Sequence, residues 1–202
     1  MAVTATHAPS SFEISSISGC KIRTSFSSRK TNSISWSLYA ARGIVLIASI
    51  SVSVISIAQN MERNSQSFSD SAKDDFSTLF AALTEISGLT VKAFADNDTE
   101  LAMNVEPLEE VIDDLTAAIR DKHIERLRRG ECSPELGVYL SDLLINCERV
   151  SDHCSNIAVS IIQISRSSMN SHDYLSGLKA ERTPQFIESY TAYGRKYRLA
   201  AE

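Results

Sequence analysis

Residues 133–164 read SPELGVYLSDLLINCERVSDHCSNIAVSIIQI. Leu140, Leu143, Cys147, Val150, Cys154, Ile157, Ile161 and Ile164 recur at alternating spacings of three and four, the seam of a helix that packs lengthwise against other helices. Ser133 is placed to cap that helix and Pro134 to open it. Glu148 and Asp152 are one turn apart on a flank beside the seam, with Asn156 next along the row.

Two further helices precede it. Asp70 can cap a helix whose apolar face is Phe76, Leu79, Phe80, Leu83, Ile86, Val91 and Phe94, ending at the polar run Asp96-Asn97-Asp98. Asn97 or Asp98 then caps a helix carrying Leu101, Val105, Leu108, Ile112, Leu115 and Ile119. Pro107 lies inside it. The seam keeps register across this proline, which predicts a kink; the alternative is a fresh start with Pro107 at the first helical position. Arg126, Arg128 and Arg129 complement the negative end of this helix, and Gly130 supplies the left-handed residue after it.

Long helices joined by short links predict antiparallel neighbours in an all-α, up-down bundle. A short helix is expected near Ser171 to Leu178. Thr183 and Pro184 then open a last helix, whose stripe of Phe186, Tyr190, Tyr193, Tyr197 and Leu199 reads as core. We divide the chain into an N-terminal segment (1–42) that is disordered or unrelated to the bundle, an apolar helical remnant (43–60) and the bundle itself (61–202).

The 202 residues are 43% hydrophobic, enough for a substantial core. The net charge of −5 hides an asymmetry: residues 1–60 hold five basic side chains against Glu13 alone, so the acidic excess lies in the body. That body does not suggest nucleic acid as a partner. Residues 1–36 are serine-rich and poor in acids, a composition shared by transit peptides and disordered tails, and we assign them no function. Residues 43–58, GIVLIASISVSVISIA, are apolar but shorter than the ~20 residues a spanning helix needs. They predict a short buried helix, with some strand character in Ile50, Val52 and Val54, and are a weak membrane-segment candidate. Cys147 and Cys154 fall on the apolar seam as small hydrophobes, and Cys20 and Cys132 lack a CxxC partner, the pattern of a reducing compartment.

Acidic pairs supply the chemistry. Glu109 and Asp113 each follow a seam residue of the second long helix, and Glu148 follows Cys147 with Asp152 one turn on. Packed antiparallel, the two pairs can face one groove. Acids four apart repel by a few tenths of a kcal/mol, which a bound cation would reverse; a solvated acidic face is the other reading. Glu106, Glu110 and Asp114 offer similar spacing and are expected to point further outward. Oxygen donors favour iron, manganese or magnesium, with zinc also compatible. His153 is expected to hydrogen-bond at the rim. The chain has no phosphate-cradling glycine loop, GxSxG, HExxH or CxxC pattern. Ser151, Asp152 and His153 are consecutive on a helix and point about 100° apart, so they cannot form a relay. A non-enzymatic role follows.

Glu148-Arg149-Val150-Ser151-Asp152-His153 with Asn156-Ile157-Ala158 resembles the ERxxDHxxNIA signature of the PhoU family of phosphate-homeostasis regulators. The longer string HIERLRRGECSPELGVYLSDLLINCERVSDHCSNIAV, preceded by VEPLEEVIDDL, is similar to the cytoplasmic PhoU-like tail of bacterial Na/Pi cotransporter family proteins. The resemblance covers roughly residues 60–202. It implies a fold of two three-helix repeats, each with a metal cluster on paired E(D)xxxD motifs. Here the implied ligands are Glu109, Asp113, Glu148 and Asp152, with His153 and Asn156 supporting them.

It also implies a non-catalytic regulator of phosphate uptake at the cytoplasmic face of the membrane. Its partners would be a phosphate transporter domain or a phosphate-signalling protein, and self-association is compatible. The second repeat is complete. In the first, Ala48, Val52, Ser53 and Ser56 stand where Glu, Asp, His and Asn are expected. The simplest expectation is a truncated Na/Pi cotransporter retaining the second repeat; a free-standing regulator or a purely structural module are the alternatives.

Overall fold

A computed structural model of the chain describes residues 52–166 and 183–200. Every regular element among them is helical. We label the helices α1 (52–63), α2 (Asp70–Asp96), α3 (Thr99–Ala102), α4 (Val105–Arg128), α5 (Pro134–Arg166) and α6 (Pro184–Lys196). Helices α2, α4 and α5 pack pairwise against one another, α3 joins α2 to α4 while touching α5, and α6 lies on α4.

The helix starts follow local chemistry, with one shift. Ser69, one residue before the expected Asp70, caps α2: its hydroxyl accepts the Ala72 N–H at 3.3 Å. Asp70 instead becomes the first helical residue and pairs with Lys73 at 2.8 Å. Asp98 caps α3 by accepting the Leu101 N–H at 3.0 Å. Gly130 has φ +72°, the left-handed turn that ends α4 and lets α5 begin at Pro134. Thr183 caps α6 as expected, accepting the Phe186 N–H at 3.2 Å.

Pro107 corrects the expected kink. The chain breaks at Met103 and Asn104 into α3 and α4, and Pro107 is the third residue of α4. A proline ring clashes with the carbonyl four residues back and donates no N–H, so a continuous helix through Met103 is disfavoured; in the first turn the missing donor has no intrahelical partner to lose.

The core joins the three long helices. Leu79, Ile86, Leu108, Ile112, Ile119, Leu144 and Ile161 are fully enclosed. On α5 the predicted seam is buried at Leu140, Leu143, Cys147, Cys154 and Ile161, but the buried face is wider, taking in Leu144, Ala158 and Ile162. Ile164 departs from it, at 48% exposed; it lies nine residues past Ser155, which contacts Glu106 in the first turn of α4, roughly 13 Å further along the helix axis. The aromatic stripe of α6 is core: Phe186 and Tyr197 are buried, and Tyr190, Tyr193 and Leu199 pack against the main cluster.

Residues 52–58 are helical, without the strand character noted for Val52 and Val54, but they are not a buried helix. Val52 is 67% and Ile55 57% exposed, and only Val54 of these three packs against the core. Helix α2 is long and apolar enough to cross a membrane by length and composition. Of its expected apolar face, Phe76, Leu79, Leu83 and Ile86 are buried in the bundle, while Phe80 and Val91 are 39% and 49% exposed. The expected short helix at Ser171 to Leu178 lies outside the described residues, as does all of 1–51.

Candidate functional site

The link at Gly130 turns the chain back on itself, so α4 and α5 run antiparallel in contact along their lengths. Two side-chain contacts fix their register. The Thr116 hydroxyl donates to Glu148 Oε1 at 2.9 Å, and the Ser155 hydroxyl donates to Glu106 Oε2. Between these rungs Glu109 and Asp113 of α4 run alongside residues 148–155 of α5. Glu148 and Asp152 lie on that stretch of α5.

The four carboxylates differ in exposure. Glu109 is buried, at 4% exposure, Glu148 is half-buried, and Asp113 and Asp152 are exposed. His153 is half-buried and Asn156 exposed, on the continuation of α5. Among the described residues no three His, Cys, Asp or Glu side chains converge on a common point. At Glu148, Oε1 accepts from Thr116 at 2.9 Å and from the Arg120 guanidinium Nη2 at 3.2 Å.

Glu106 corrects the sequence expectation. Rather than pointing outward it is 5% exposed and bonded to Ser155. Because α4 restarts at Val105, Glu106 sits in its first turn, where the positive end of the helix favours a carboxylate and the small Ser155 leaves room and a donor. Glu110 is half-buried. Asp114 does face outward, and accepts a hydrogen bond from Tyr190 of α6.

Thr116 and Arg120 were not singled out in the sequence. Continuing the row from Glu109 and Asp113 by steps of three and four reaches both, and that periodicity is the signal that would have found them. The cysteines stay apolar. Burial pushes the Cys147 thiol up to about 12, with the neighbouring Glu148 charge adding to it, and burial also raises Cys154. Neither offers a thiolate near neutral pH. Cys132, Cys147 and Cys154 are all free thiols.

A second polar cluster lies at the other end of α4. Asp75 of α2, buried, meets Lys122 Nζ at 2.8 Å and Arg126 Nη1 at 3.6 Å. Lys122 also donates to the Ala200 carbonyl at 2.8 Å, tying the C-terminal residues to the bundle. Next to it the buried His123 ring lies 3.7 Å from Cys132 Sγ, and burial, then the Arg126 charge, holds its pKa below the usual imidazole range. These are links between helices, and we place no chemistry on them.

Residues 77–161 match the family model of the PhoU domain. The phosphate-specific transport system accessory protein PhoU homolog 1 of Thermotoga maritima is 29% identical over 102 residues, covering 50% of this chain and 44% of that protein. The chain therefore spans less than half of that relative's length. No solved structure matches. The matched span runs from α2 into α5, and holds Glu109, Asp113, Glu148 and Asp152 with His153 and Asn156.

Proposed function

We propose that this chain is a non-catalytic regulatory module of phosphate uptake, related to the tail of Na/Pi cotransporter family proteins, that binds metal in the α4/α5 groove. The observation that carries the reading is the position of Glu148-Arg149-Val150-Ser151-Asp152-His153. It lies on α5 directly alongside the stretch of α4 that bears Glu109 and Asp113. The PhoU domain match across this span supports it, as does the likeness to the Thermotoga protein, an accessory protein of a phosphate-specific transport system.

Glu109, Asp113, Glu148 and Asp152 would hold the ion, with His153 and Asn156 steadying α5 around it. A bound divalent or trivalent cation would supply positive charge that neutralises the acid pairs and locks α4 to α5. The protein's own part is to keep the two helices in register. The module would work at the cytoplasmic face of the membrane, against a transporter domain; a free-standing soluble regulator that contacts a phosphate-signalling protein is the alternative.

Co-purification tests the choice. The tagged chain is incubated with membranes containing a Na/Pi cotransporter and, separately, with a soluble phosphate sensor kinase. Retention of the cotransporter supports the proposal, retention of the kinase alone supports the alternative, and retention of neither reduces the chain to a structural module.

A further inference from the structure

Helix α1 has two apolar sides. Val54 packs against the main cluster, and Ile57 and Met61, three and seven residues on, are half-buried on the same side. On the opposite side Val52 and Ile55 are 67% and 57% exposed, two of the three most exposed large hydrophobic side chains among the described residues. Further along that outward side stand the exposed Gln59 and Arg63, as a solvated face requires. The uncovered hydrophobes are thus confined to the start of α1, which follows closely on the apolar stretch Gly43 to Ile50 in the sequence. We propose that residues 36–50, with Val52 and Ile55, dock the chain on the surface of an anionic lipid bilayer.

Charge and residue type select this occupant. Ahead of the apolar run stand Lys21, Arg23, Arg29, Lys30 and Arg42 against Glu13 alone, whereas the acidic excess lies after residue 60. Basic residues beside an apolar segment are drawn to anionic headgroups, and an acidic bundle is repelled by them, so the chain meets the bilayer through this end. Trp36 and Tyr39 stand just before Arg42, and tryptophan and tyrosine settle where hydrocarbon meets headgroups. The uncharged run from Gly43 to Ala58 is shorter than the ~20 residues a span needs. Its last part is already committed to the bundle through Val54. A segment lying in the surface satisfies both limits, and a transmembrane helix satisfies neither. A second copy of the chain would bring like basic charge together at this end, which disfavours self-association through it.

Trp36 is the chain's one tryptophan and reports the contact directly. The full chain is mixed with vesicles of phosphatidylcholine, with or without an equal part of phosphatidylglycerol, and flotation is measured beside Trp36 emission. Wild type should float with the anionic vesicles with a blue shift of Trp36, and bind pure phosphatidylcholine about tenfold less well. Val52→Gln with Ile55→Gln alters a face turned away from the bundle, and should weaken anionic binding about tenfold at an unchanged melting temperature. Were that variant to melt earlier, Lys30→Gln with Arg42→Gln, outside the described bundle, should weaken anionic binding in its place. No flotation with anionic vesicles, equal binding to both vesicle types, or equal binding by wild type and the stably folded variant overturns the proposal. So does a dimer, seen by sedimentation, that excludes lipid and is lost in Val52→Gln, Ile55→Gln, since the face then belongs to a second copy. Pure lipid vesicles hold no transporter and the buffer no metal, so the result is independent of the function proposed above.

Discussion

At the scale of single residues, burial separates the ionic contacts that hold the protein together from those open to exchange. Asp75 is almost fully enclosed and bonded to Lys122 and Arg126. Removing a buried carboxylate leaves its cations without compensation, at a cost of about 3 kcal/mol or more. Asp75→Asn should therefore lower the urea midpoint markedly, and an unchanged midpoint would mean that water already screens the cluster. The four carboxylates named from the sequence lie on the facing stretches of α4 and α5 between the Thr116–Glu148 and Ser155–Glu106 contacts, because their spacing places them beside the seam. What spacing could not tell was depth. Glu109 and Asp113 are one turn apart, yet one is buried and the other exposed, since depth depends on the neighbouring helix. Glu106 was misjudged for the same reason: Ser155, 49 positions later, admits it to the interior.

At the scale of helices, caps and periodicity were legible where they depend on a few adjacent residues. Pro134, Thr183-Pro184 and the left-handed Gly130 each mark a boundary found in the structure, though the Ser133 hydroxyl makes no capping hydrogen bond. Pro107 was harder, because a seam in register is compatible with a kink or with a break, and packing of α3 against α2 and α5 accompanies the break.

The end of α4 also carries a pH response. Burial, followed by the Arg126 charge, lowers the His123 pKa in the folded state from its ordinary 6.5. A depressed histidine pKa means that the unfolded chain takes up the proton more readily, so folding is favoured fully above about 6.5 and loses stability as pH falls through the lowered folded value. Urea midpoints should decline from pH 7 towards 5 in wild type and flatten in His123→Gln. Parallel curves would assign the decline to another group. Glu85 acts in a separate window, below its ordinary 4.5: burial pushes its pKa up, but hydrogen bonds from Lys196 and Tyr197 outweigh that and lower it.

At the scale of the whole molecule, three long helices make the bundle and α6 lies on α4 with Tyr190 bonded to Asp114, while beyond its end Tyr197 donates to Glu85 of α2 and the Ala200 carbonyl accepts from Lys122 of α4. The bundle was legible because its apolar spacing is nearly unbroken from Phe76 to Ile161. The exposure of Val52 and Ile55 was not, since an apolar run does not say what covers it. The central claim is that the α4/α5 groove holds a metal ion. Elemental analysis of the gently purified chain, beside a Glu148→Ala, Asp152→Ala double variant, tests it most directly. We expect stoichiometric iron, manganese, magnesium or zinc in wild type and its loss in the variant. Equal metal content in the two proteins, whether loaded or empty, would contradict the assignment.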